Sequence, residues 1–140
     1  MIHYDFDTTE NGYRNIKGCV ETIDELERII LKDAVFPDCV GHIKTDSADD
    51  SILWFSAMKD LGVYLGISNH SGEYLSLCNR ELLSEVVDVW GDDLYISKGL
   101  FIPPHLAWSG IQDFVVNGVL NNKIQWISTI DIPENGNYIL

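Results

Sequence analysis

Three strand-length apolar runs stand almost back to back in "SILWFSAMKDLGVYLGISNHSGEYLSLCN", residues 51–79. The links between them, at 59–62 and at "NHSG", leave room only for tight reversals. Strands joined so closely pair antiparallel, so an antiparallel meander forms the middle of the molecule. In the first run Leu53, Phe55 and Ala57 alternate with Ile52, Trp54, Ser56 and Met58, and both sides are apolar. A strand of that kind belongs inside a sheet. In the second, Val63, Leu65 and Ile67 alternate with Tyr64, Gly66 and Ser68.

Two helices flank this meander. Thr22 and Glu25 of "TIDE" have the spacing of a capping box. Asp24, Glu25 and Glu27 come first and Arg28 and Lys32 later, the order a helix dipole favours. Ile23, Leu26, Ile29, Ile30 and Ala34 mark a buried face, and Pro37 ends the region, so the spacing predicts a helix over 23–34. The second helix starts at Pro103 and Pro104, which a first turn tolerates. Leu106, Ala107, Ile111, Phe114 and Val115 repeat at helical spacing, and Gly118 sits where a left-handed cap is needed. After a connection over 119–122, "KIQWISTI" is the closing strand, with Ile124, Trp126 and Ile130 on one side.

The remaining segments are less regular. Asn11-Gly12 marks a turn, so residues 1–20 read as a short hairpin. Residues 37–50 read as a loop or an edge segment. Residues 81–93 read as mostly extended near 86–90, and "DDLYISKG" as a further strand. The element order is then βαββββαβ with a hairpin in front. The expected fold is α+β, an antiparallel sheet of about five to seven strands with two main helices packed on one face. At 140 residues the chain is expected to be one domain, 1–140.

Hydrophobic residues make up 46% of the chain, a globular composition, yet no apolar stretch is long enough to span a bilayer. The start "MIHYDFDTTE" lacks both the basic region and the apolar run of a secretion signal, so the expected location is cytoplasmic. Cys19, Cys39 and Cys78 are widely spaced and odd in number, which fits reduced thiols acting as small buried hydrophobes.

Charge is the most informative part of the composition. Nine Lys+Arg against 22 Asp+Glu give a formal net charge of −13. Such a surface repels nucleic acid and anionic lipid and attracts basic proteins.

Catalytic motifs are missing from the sequence. His3, His42, His70 and His105 show no metal-ligand spacing, with His70 in a turn and His105 at a helix start. No nucleophile elbow, Walker loop or dinucleotide fingerprint occurs. "DFDTTENG" fails as a calcium loop, because Thr9 holds the third ligand position and Glu10 the required glycine position. "DSADD" reads as a solvated acidic loop. A paired-carboxylate hydrolase stays open as a class, but nothing singles out one pair among so many acids. No cofactor and no metal is expected.

The acids do gather: Asp5, Asp7 and Glu10; Asp46, Asp49 and Asp50; Glu85, Asp88, Asp92 and Asp93. Trp54, Tyr64, Tyr74, Trp90 and Tyr95 fall in or near the same strands. Acids beside exposed aromatics suit protein binding, since charge speeds association and aromatic contact prolongs it. The alternative is that these aromatics are core.

Gly99, Pro103, Pro104, Phe114, Gly118 and Trp126 follow one another in an ordered pattern: glycine, proline-initiated helix, "NG", spacer, then tryptophan on a closing strand. In that order and spacing the segment resembles the first-numbered immunity-protein family of bacterial polymorphic toxin systems. The resemblance extends over about residues 50–130, while Trp108 and Ser109 and the length after Trp126 depart from it. It implies a small inhibitor that binds the C-terminal domain of a cognate toxin, often a nuclease or nucleic-acid-modifying enzyme with a basic cleft, and that has no catalytic residues of its own. Pro103, Pro104, Phe114, Gly118 and Trp126 are then expected to determine the fold. The toxin-binding surface is expected at Asp46, Asp49, Asp50, Glu85, Asp88, Asp92 and Asp93. Two rival classes remain, a small α+β hydrolase or ligand-binding domain and an acidic adaptor in a larger assembly.

Overall fold

In the computed structural model, residues 1–47, 50–89 and 94–132 are described. The N-terminal hairpin pairs β1 (Ile2–Thr8) with β2 (Arg14–Val20) in unbroken register. Its turn carries Asn11 and Gly12 at positive φ, 57° and 88°, as the Asn-Gly pair predicts. Helix α1 (Ile23–Ile30) follows. The Thr22 hydroxyl accepts the Glu25 N–H at 3.2 Å and donates to the Glu25 carboxylate at 3.1 Å.

The predicted extension of α1 to residue 34 is wrong. Leu31 is already extended, and Lys32 and Val35 exchange backbone hydrogen bonds of 2.8 and 3.0 Å. Asp33 and Ala34 close that turn at φ 53° and 62°. The Lys32 and Val35 amides and carbonyls bond to each other instead of continuing the helix, and Ala34 is exposed rather than buried.

A second correction concerns residues 37–50. They contain a full strand, β3 (Cys39–Thr45), which lies inside the sheet between β1 and the next strand, β4 (Ile52–Met58). Cys39 and Ile43 are fully buried on one side, and Gly41 lies between them. A Cβ at Gly41 would collide with Phe6 and with the Asp5 carbonyl, so the residue that breaks the alternation is required by the packing.

The meander continues through β5 (Gly62–Asn69) and β6 (Gly72–Leu77). Next comes a separate antiparallel ribbon, β7 (Val86–Val89) with β8 (Leu94–Ser97). The short β9 (Phe101–Ile102) pairs with β5 beside β6. The Ser76 hydroxyl bridges this change of partner: it accepts the Leu65 N–H at 3.0 Å and donates to the Leu100 carbonyl at 2.7 Å. Helix α2 (Pro104–Asn117) and β10 (Gln125–Ser128) complete the chain. The main sheet runs β10-β6-β5-β4-β3-β1-β2, which puts β4 in the middle as predicted.

Helix α2 begins at the proline pair and ends at Gly118, whose φ of 67° is left-handed. The Gly118 N–H reaches the Phe114 carbonyl at 3.1 Å, the bond of an αL helix ending, and the Val119 N–H reaches the Asp113 carbonyl at 3.4 Å. Both helices pack on the same face. Leu26 and Ile30 from α1 and Ala107, Trp108, Ile111 and Phe114 from α2 join Phe6, Ile43, Leu53, Phe55, Val63 and Leu65 in one core. On the other face the ribbon covers only part of the sheet. There Val89 and Ile96 meet Tyr64, Leu75, Leu77, Phe101 and Ile127. Trp126 is half-buried against the helix-side core, and its indole N–H donates to the Asn121 carbonyl at 3.0 Å. Ile130, expected beside it, is instead 88% exposed, because the strand gives way to a 3-10 turn at Thr129–Asp131. Among the described residues no helix is long and apolar enough to cross a membrane.

Candidate functional site

Alternation along the strands determines what the uncovered part of the sheet presents. On β1, Ile2, Phe6 and Thr8 point to the helices, and His3, Asp5 and Asp7 point the other way. The pairing register extends that second set into rows. Lys17, Asp5, His42, Trp54 and Gly66 lie side by side across β2, β1, β3, β4 and β5. Cys19, His3 and Lys44 form the next row, and Asn15, Asp7, Val40, Ser56 and Tyr64 the row on the other side. Tyr64 is buried under the ribbon, whereas His42 and Trp54 are half-buried and Lys17 is exposed. This open face is the candidate binding surface.

Its polar groups are organised. The Asn15 side-chain amide donates to one oxygen of Asp5 and one of Asp7, each at 2.8 Å, and so fixes two carboxylates beside the central row. The His42 and Trp54 rings pack at 5.1 Å between centroids, tilted by 54°. A shallow hollow of about 350 Å³ opens among His3, Asp5, Lys17, His42 and Lys44. At its border Asp46 accepts from His3 Nε2 at 2.7 Å and takes the N-terminal ammonium of Met1 at 3.2 Å. These two contacts, His3 foremost, hold the Asp46 carboxyl below its ordinary range. Such a face offers aromatic contact, charge and hydrogen bonds over several strands, which is the chemistry of macromolecular recognition.

Of the acids expected to bind a toxin, Asp46 borders this face and Asp50 stands exposed on the β3–β4 connection at φ 51°. Glu85 and Asp88 are exposed on the ribbon. Glu85 is 3.7 Å from the Lys98 ammonium, and Asp88 is paired with Tyr95 across the two strands. The expected surface thus falls on two separate elements. Asp49, Asp92, Asp93 and Trp90 lie outside the described residues. Of the expected aromatics, Tyr95 is exposed on the ribbon, Trp54 and Tyr74 are half-buried, Trp54 on the open face, and Tyr64 is core.

Sequence reasoning missed Lys17, Asn15 and His42 as members of the face. The alternating "CVGHIKT" of β3 was the available signal. The cysteine expectation also needs correcting, since Cys39 is buried but Cys19 and Cys78 are exposed. Burial, with Asp38 next in effect, pushes the Cys39 thiol up to about 12.

Pro103, Pro104, Phe114, Gly118 and Trp126 all occupy helix ends or the helix–sheet junction, away from the open face. Among the described residues no group of three His, Cys, Asp or Glu side chains is placed to hold a metal. Compared with protein-family models, curated proteins and solved structures, the chain gives no match.

Proposed function

We propose that the protein is an immunity protein that binds and neutralises a cognate basic toxin domain inside the cell that makes both. The net charge of −13 carries this reading. A rigid domain with that excess of acid draws a cationic enzyme from solution and suppresses neutral competitors. Trp54 on the open face supplies an aromatic anchor, and Asp46, Asp50, Glu85 and Asp88 supply acids on connections and ribbon that are free of packing duties. The toxin's chemistry is expected to be that of a nuclease or another nucleic-acid-modifying enzyme, whose cleft is basic because its substrate is not.

Growth measures this directly. The domain encoded beside this protein should arrest cells when expressed alone and be harmless when co-expressed with it. The double variant Asp50→Lys/Asp88→Lys should slow association if either acid faces the toxin, whereas Trp54→Ala should shorten the lifetime of the complex. A harmless neighbour, or arrest unaffected by co-expression, contradicts the proposal.

One observation favours a second reading, a ligand-binding domain. A cleft of about 440 Å³ opens between α1 and α2, with Leu31, Phe36, Pro104 and Trp108 as apolar wall and Glu27 and His105 as polar groups. A small-molecule screen that protects Trp108 fluorescence from quenching would support it.

A further inference from the structure

Strand β2 ends the main sheet, and its backbone has a free side. The Met1 carbonyl accepts the Asp46 N–H at 3.2 Å, on the β3 side of β1. Backbone groups alternate along a strand, so His3, Asp5 and Asp7 turn to β3, while Ile2, Tyr4, Phe6 and Thr8 turn to β2. Their register partners are Val20, Gly18, Ile16 and Arg14. Asn15, Lys17 and Cys19 therefore direct their N–H and C=O groups outward, and all three are exposed. This edge is seven residues long, without proline and without a break in register, whereas β10 at the opposite edge has four residues. Long regular edges are what another strand can extend.

Charge selects the occupant. The β2 sequence "RNIKGCV" carries Arg14 and Lys17 and no acid, in a chain with 22 acids and nine bases. Among the described residues neither cation forms an ion pair, nor does Lys44. Lys17 and Lys44 share one hollow with His3, His42 and a single carboxylate, Asp5, beside this edge, so the cations outnumber the acid there. We propose that the outer edge of β2 is a strand-addition site for an extended acidic segment of a partner protein. The segment's backbone bonds to Asn15, Lys17 and Cys19, and an acidic side chain reaches Lys17. A second copy fits worse, since an antiparallel β2–β2 pairing centred on Lys17 sets the two lysines together between two strongly acidic bodies. The assignment does not depend on the toxin reading, because it concerns an opposite charge on the partner.

The test uses the whole protein, labelled with ¹⁵N, and capped peptides of about eight alternating valine and glutamate residues, or valine and lysine. With the glutamate peptide, amide exchange at Asn15, Lys17 and Cys19 should slow at least about tenfold, with Ile16 and Gly18 unchanged. Lys17→Glu should weaken that binding about tenfold. Lys17→Pro, tolerated on an edge but lacking the outward N–H, should abolish it in a protein whose circular dichroism is unaltered. No slowing with the glutamate peptide, or equal slowing with the lysine peptide, overturns the assignment. So does a dimer in sedimentation equilibrium that Lys17→Pro dissolves, which gives the edge to a second copy. None of these outcomes touches growth protection, so the two proposals fail separately.

Discussion

Single residues decide how closely the layers approach. Phe6 lies over Gly41 on the neighbouring strand, and its ring packs 6.1 Å from Phe55. Gly41→Ala inserts a methyl where the Phe6 side chain and the Asp5 carbonyl already sit. We expect a loss of about 1–3 kcal/mol in urea unfolding, with no change in the slope. Cys39 is the other informative position. Its folded pKa of about 12 lies above the ordinary value of 9.0, because burial disfavours the thiolate. The thiol is neutral in both states below pH 9, so its contribution is fully present there. Stability then falls as pH rises from about 9 through about 12, where the unfolded chain ionises first. Cys39→Ala should flatten that part of the profile. In the native protein at neutral pH, a thiol reagent should label Cys19 and Cys78 and spare Cys39 until unfolding.

At the scale of elements, local chemistry and long-range packing differed in how readable they were. The N-terminal hairpin, the three-strand meander and α2 were legible because each is punctuated by its own turn residues: Asn11-Gly12, the 59–62 and "NHSG" reversals, and the proline pair with Gly118. Strand β3 was not legible, because Gly41 reads as a loop residue until Phe6 is known to need its space. The end of α1 was overrun because Lys32, Asp33 and Ala34 are compatible with a helix; only the Lys32–Val35 bridge stops it. The candidate face suffered from the same gap. Its acids were visible in sequence, but the row joining Lys17, Asp5, His42 and Trp54 needs the pairing register of β3; the alternation of "CVGHIKT" shows which of its residues share a face, not which residues they lie beside. The turn after α1 also makes a prediction. Ala34 holds φ 62°, where an L side chain is strained. Ala34→Gly should stabilise the protein by about 0.5–1 kcal/mol, read as a higher midpoint in thermal unfolding.

For the whole molecule, two cores hold one seven-strand path between a helix layer and a partial ribbon cover, and a net charge of −13 surrounds them. Under the proposed function, the open face and the acidic connections are what this body offers to a partner. If negative potential directs it to a cationic enzyme, association is fast at low ionic strength and slows as ions screen the attraction. The most direct measurement is the stopped-flow association rate with the proposed cognate toxin domain, across a salt series. The account predicts a fall of at least about tenfold between low and high salt, with dissociation little changed. A rate indifferent to salt, or no association at all with that domain, would contradict it.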